Sequence, residues 1–225
     1  MSPPRPYVII NVAASADGKI DTRDRRGAAI SSERDRARVD QLRASVDGVM
    51  VGSRTLHDED PRLTVKSASL RAERKARGLP ENPAKVAVTT HLDLAPECRF
   101  LSSGPARVIL FVPRGVARGE SLRAEIYEMG DDRVDLVSAM AELGRLGLQR
   151  VLVEGGGTLN FELLRLGLVD ELQVFLAPMI FGGATSPTLA DGGGLTRDQA
   201  VTLASPSVEV WHDGGVLLRY MVERS

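Results

Sequence analysis

Cysteine is almost missing. The 225-residue chain has one, Cys98, which excludes an internal disulfide and any zinc site built from cysteines. Histidine is nearly as scarce, and His57, His91 and His212 are scattered, so no metal centre built on imidazoles is expected. Charge of either sign is not in excess. The formal net charge is −1 with acids and bases interspersed, which implies neither nucleic acid nor an anionic membrane as partner. No apolar run is long enough to span a bilayer, and Met1 to Tyr7 is proline-rich rather than apolar, so no signal peptide is expected. A repeat, a domain linker and the dinucleotide fingerprint G-x-G-x-x-G are missing too. What is there is 43% hydrophobic, enough for a full core. The expectation is a soluble cytoplasmic α/β protein.

The stretch that organises the chain is Val151-Leu152-Val153-Glu154-Gly155-Gly156-Gly157-Thr158-Leu159-Asn160. Val151 to Val153 has the β-branched content of a buried strand end, and Leu159, Phe161, Leu163, Leu164 and Leu166 recur at helical spacing. Between them lies a turn free to adopt positive φ, opening a helix whose first N–H groups lack partners. Such amides, with the positive end of the helix dipole, attract phosphate. A tight strand-to-helix turn without a ligand explains the same residues. Glu154, an acid placed just before the turn, favours the functional reading.

In chain order, Tyr7 to Val12 reads as a buried first strand, followed by the turn signal Asp17-Gly18 and then Lys19. Ser31 or Ser32 caps a helix whose apolar face is Val39 and Leu42, ending at Arg43. Val46 to Val51 is a second strand, and the acids Asp58-Glu59-Asp60 follow its glycine turn. Residues 67–83 read as an exposed helix and loop, and Val86 to Thr90, Val108 to Val112 and the short Glu125 to Tyr127 as strands. Asp135 caps a helix through Met140, Leu143 and Leu146. Asp170 to Leu176 alternates as a strand, and Val208 to Trp211 and Val216 to Met221 form a hairpin over His212-Asp213-Gly214-Gly215. Strands alternating with helices and then an antiparallel pair predict a mixed sheet.

Five segments occur in order: Asp17-Gly18-Lys19-Ile20, Arg43-Ala44 before Val46 to Gly52, Asp60-Pro61-Arg62-Leu63-Thr64-Val65, Glu154 to Asn160, and Ala177 to Gly183. Together they make the chain resemble the reductases of riboflavin biosynthesis, most closely the stand-alone pyrimidine-ribosylaminophosphate reductases, over about residues 5–222. A His-x-Glu with a downstream Pro-Cys-x-x-Cys, the mark of the accompanying zinc deaminase, is not in this sequence. The resemblance implies one reductase domain over 1–225. It implies a dihydrofolate-reductase-like α/β fold with a mostly parallel central sheet, a homodimer, NADPH as hydride donor, and no metal. The substrate would be a small phosphorylated molecule, a pyrimidine ribosylamino 5′-phosphate, in its diamino or its deaminated form.

The same resemblance assigns Gly155, Gly156, Gly157 and Thr158 to the cofactor phosphates, with Ser31, Thr55, Glu59, Thr89 and Thr90 as further cofactor contacts. It assigns Lys19, Glu59, Asp60 and Glu154 to catalysis, and Asn11, Arg43, Leu63 and Lys66 to the substrate. Three departures stand out. Glu59-Asp60-Pro61 replaces Asp-Asp-Pro, Ala29 stands where an aromatic is common, and Thr89-Thr90 replaces an Asp-Ser at the position expected to meet the cofactor 2′-phosphate. The alternatives are a reductase of the same fold acting on a pterin, folate or other small molecule, and a nucleotide-binding protein without catalysis.

Overall fold

The computed structural model describes residues 5–25, 27–117 and 122–223. The first four residues of the proline-rich start, and the last two of the expected 1–225 domain, lie outside them. In chain order the elements are β1 (Tyr7–Ser15), α1 (Glu33–Ser45), β2 (Gly48–Gly52), a single π-helical turn (Thr55–Glu59), α2 (Ala68–Ala76), β3 (Ala84–Val88), α3 (Arg99–Ser102) and β4 (Val108–Val112). Then come β5 (Glu125–Glu128), α4 (Leu136–Arg145), β6 (Arg150–Val153), α5 (Gly157–Arg165), β7 (Glu171–Ala177), β8 (Ser207–Val210) and β9 (Val216–Met221). No helix among the described residues is long and apolar enough to cross a membrane.

The chain divides into two compact units. One holds residues 5–6 and 38–152, with strands in the order β5-β4-β3-β2-β6. Its β2, β3, β4 and β5 pair in parallel, with Met50 level with Val86 and Val86 with Ile109. Parallel strands covered on both faces need apolar residues at every position. Accordingly Gly48–Gly52 and Val108–Val112 are buried throughout. Edge strand β5 is not. Helix α4 starts where expected: Asp135 accepts from Val137 N at 3.0 Å and Ser138 N at 3.2 Å.

The other unit holds residues 7–37 and 153–223, with strands in the order β1-β7-β9-β8. β1 and β7 are parallel, with Ser15 level with Ala177, while β7, β9 and β8 run antiparallel as the hairpin signal predicts. Ile30, Phe175, Ala177, Trp211 and Leu217 form its core cluster. Ser32 rather than Ser31 caps α1, accepting from Asp35 N at 3.2 Å.

Three details differ from the expectation. The buried residues of α1 are Asp35, Asp40 and Ala44, while Val39 and Leu42 are only half-buried. Within the supposedly exposed 67–83 stretch, Arg74 is 2% exposed because its guanidinium donates to the carbonyls of Ala44, Val46 and Pro80. And α3 has no counterpart in the sequence reading.

Candidate active site

In the unit of residues 7–37 and 153–223, the strand stops at Val153 and α5 begins at Gly157. Gly155 has φ +100°, a conformation that a side chain would strain. A Cβ on Gly157 would collide with the carbonyl of Thr188 and lie 2.8 Å from Asp191 Oδ2, so this glycine is required by close approach. No side chain caps α5 at Gly156, unlike α4 at Asp135. A helix start without a side-chain cap is the kind of place where an anion is favoured. Thr158 is exposed and Glu154 half-buried.

Lys19 follows β1 in the same unit. Its backbone forms an isolated antiparallel bridge with Thr188, and Nζ donates to Ser186 O at 3.4 Å. The turn before it is anchored by Asp17, whose carboxylate accepts from the Ser15 hydroxyl at 2.6 Å and from the amides of Phe181 and Gly182. The Ser15 hydrogen bond leads the causes that hold Asp17 below the usual carboxylate range. Asn11 is buried in β1, level with Gln173 of β7, and Ser31 is half-buried just ahead of the α1 cap. Lys19 and the glycine turn are thus joined through residues 186–191, a stretch that carried no expectation.

In the unit of residues 38–152, Thr55 and Glu59 open and close the π-helical turn after β2. Thr89 is 1% exposed and its hydroxyl donates to His91 O at 2.9 Å. Having one proton, it accepts from Ser53 Oγ at 2.9 Å and from His57 Nε2 at 3.2 Å. Thr90, beside it, is exposed. His57 and His91, scattered in sequence, stack here with centroids 4.0 Å apart. The parallel register explains it, since Gly52 is level with Val88 and both chains leave the sheet at one end. Burial, then the like charge of His91, pushes the His57 pKa down. The described residues contain no group of His, Cys, Asp and Glu able to hold a metal.

Residues 60–67 form a loop fastened from several directions. Asp60 and Leu63 both have positive φ, 43° and 51°, which costs non-glycine residues energy and persists only where surroundings impose it. The Asp60 carboxylate accepts from Arg99 N and Phe100 N, both at 2.8 Å, and so caps α3. Burial pushes its pKa up, but these amides and the Arg99 charge outweigh that and hold it low. Arg43 Nη1 donates to Thr64 O at 3.1 Å, Asn82 accepts from Val65 N, and Asp40 accepts from Lys66 N at 2.6 Å and Ser67 N at 2.8 Å. Arg43 is thereby carried to within two residues of Lys66, although the pair is far apart in sequence. Leu63 is 1% exposed and Lys66 is exposed.

Asp40, Thr188 and Asp191 were missed in the sequence, where Asp17 was read only as part of a turn. Only the Thr188-x-x-Asp191 spacing is a local signal that could have been found, as a side-chain-to-backbone turn.

The family described as the RibD C-terminal domain matches residues 6–217. The 2,5-diamino-6-ribosylamino-4(3H)-pyrimidinone 5′-phosphate reductase of Archaeoglobus fulgidus is 44% identical over 84% of this chain and 87% of its own length. The protein of the same name from Methanothermobacter thermautotrophicus is 41% identical over 85% of this chain and 86% of its own. Among solved structures, Acinetobacter baumannii RibD shares the fold, with a TM-score of 0.81 at 24% identity over 99% of this chain; this chain spans 59% of that one. The chain belongs to the RibD C-terminal domain family.

Proposed function

We propose that the protein is an NADPH-dependent reductase of riboflavin biosynthesis that converts a pyrimidine ribosylamino 5′-phosphate to the ribitylamino 5′-phosphate. The observation that carries this reading is the 44% identity to a reductase of that name along most of both chains. The glycine turn supports a nucleotide cofactor. Its side-chain-free approach at Gly155 and Gly157 and its uncapped helix start suit a pyrophosphate.

NADPH supplies the hydride when bound. The chain's residues supply placement and field. Hydride enters at the imine carbon of the ring-opened sugar and a proton at the imine nitrogen, giving the secondary amine. Lys19 holds a proton near the sugar oxygen for ring opening, and Glu154 favours the positive charge that develops at the imine. Arg43 and Lys66 hold the substrate phosphate by charge-assisted contacts, Leu63 lines the same pocket, and Asn11 contacts the substrate. Ser31, Thr55, Glu59, Thr89 and Thr90 belong to the cofactor side, where Thr89-Thr90 stands in place of the family's Asp-Ser. Asp60 works through the α3 cap that it makes. The enzyme acts as a homodimer in the cytoplasm; exposed Val208 and Val210 on edge strand β8 support pairing of copies.

The test is NADPH oxidation with the diamino pyrimidine phosphate, its deaminated form and dihydrofolate side by side. One of the two phosphorylated pyrimidines should be reduced and dihydrofolate should not. Turnover of dihydrofolate alone, or of none of the three, overturns the reading.

A further inference from the structure

The turn Thr188 to Asp191 lies between the lysine turn and the glycine turn. Asp191 N donates to Gly157 O at 3.0 Å, and Asp191 Oδ1 accepts from Thr188 N at 3.0 Å and from Thr188 Oγ1 at 2.6 Å. On one side, Thr188 bridges to Lys19, and Ile20 N donates to Pro187 O at 3.0 Å. On the other, fully buried Asn160 of α5 donates to Leu189 O at 2.9 Å. Gly192 continues the contact, packed so closely on Phe161 that a Cβ would overlap its ring. Three of these links join backbone to backbone, and the others use the side chains of Asp191, Thr188, Asn160 and Phe161. The Asp191 carboxylate is the side chain that fixes the turn's shape.

We propose that Asp191 is a positioning residue: through Thr188 and Gly157 it holds the Lys19 turn and the glycine turn at one fixed spacing. Since Asp191 Oδ1 takes both hydrogen bonds from Thr188, the role needs an acceptor and not a charge. An asparagine can fill it, and an alanine cannot. The assignment rests on the proposed reductase function, because the spacing matters only if cofactor and proton donor must meet the same substrate atom.

The experiment compares wild type, Asp191→Ala, Asp191→Asn and Thr188→Val by steady-state kinetics, NADPH titration and thermal unfolding. Loss of hydrogen bonds of ordinary strength scales to about tenfold for the pair. Asp191→Ala should raise KM for NADPH about tenfold and lower kcat by a similar factor. Asp191→Asn should stay within about threefold of wild type in both, and Thr188→Val should fall between. Asp191→Ala with wild-type kinetics overturns the assignment, as does Asp191→Asn impaired equally with Asp191→Ala. Should Asp191→Ala not fold, Thr188→Val decides, and wild-type constants in it are the contradicting result. Wild-type protein that neither binds NADPH nor turns over overturns the functional reading, and this assignment falls with it.

Discussion

Two loops at the ends of β2 and β6, residues 60–67 and 154–158, are held in opposite ways. Between residues 60 and 67, the carboxylates of Asp60 and Asp40 accept from backbone amides and the guanidinium of Arg43 reaches a carbonyl. Two left-handed non-glycine residues are held in place by that effort. Between residues 154 and 158, Gly156 gives the helix no side-chain cap, and Gly157 lets Thr188 and Asp191 approach from behind. The first loop uses charged side chains to hold its shape, and the second is held from behind by backbone contacts at Gly157. An Asp or Arg in a motif is therefore no guide by itself to chemistry, and what its oxygens or nitrogens already hold must be known first.

The comparison breaks most sharply at Lys19, whose ammonium has a carbonyl contact of 3.4 Å. Lys19→Met should lower kcat about 100-fold, the scale of a lost general acid or preorganised charge, with NADPH affinity little changed. Near-normal kcat would reduce Lys19 to a turn residue like its neighbours in the scaffold.

Asp60 is the opposite case. Asp60→Ala should cost about 1–2 kcal/mol of stability, as loss of a helix cap does, and Asp60→Asn less, because an acceptor oxygen remains. Chemical denaturation of both variants reads this directly. A collapse of kcat in Asp60→Asn at unchanged stability would return the carboxylate to catalysis.

The smallest effect sharpens the scaffold side. Lys85 in β3 is fully buried and donates to the carbonyls of Phe100 and Ser103, closing the end of α3 opposite the Asp60 cap. Burial pulls its pKa from 10.5 to about 8. Between these values the unfolded chain binds a proton that the folded chain has released, so stability rises with pH across that window. Denaturation midpoints from pH 8 to 10.5 should show the rise in wild type and lose it in Lys85→Met.

These contrasts also separate what the sequence reveals from what it hides. Strands β2 and β4 were legible because burial on both faces demands unbroken apolar runs. The Asp135 cap was legible because donor and acceptor lie within one turn. The α3 cap was not, since Asp60 reaches Arg99 across 39 positions, and the four-residue helix has no periodicity of its own. The polar inner face of α1 was hidden for the same reason: Asp40 serves amides 26 and 27 residues away. Around the site, the glycine turn announced itself by composition, whereas the Thr188–Asp191 turn behind it carried no expectation. Nor did spacing hint that His57 and His91 would stack, because it is the pairing of β2 with β3 that brings the two chain ends after Gly52 and Val88 together.

One measurement tests the central claim most directly. The protein is given the ribosylaminopyrimidine phosphate and NADPH deuterated at both C4 positions, and the product is weighed by mass spectrometry and located by NMR. The account predicts a ribitylamino phosphate carrying a single deuterium at the carbon that was the imine. Product free of deuterium, or an unaltered substrate beside intact NADPH, would contradict it.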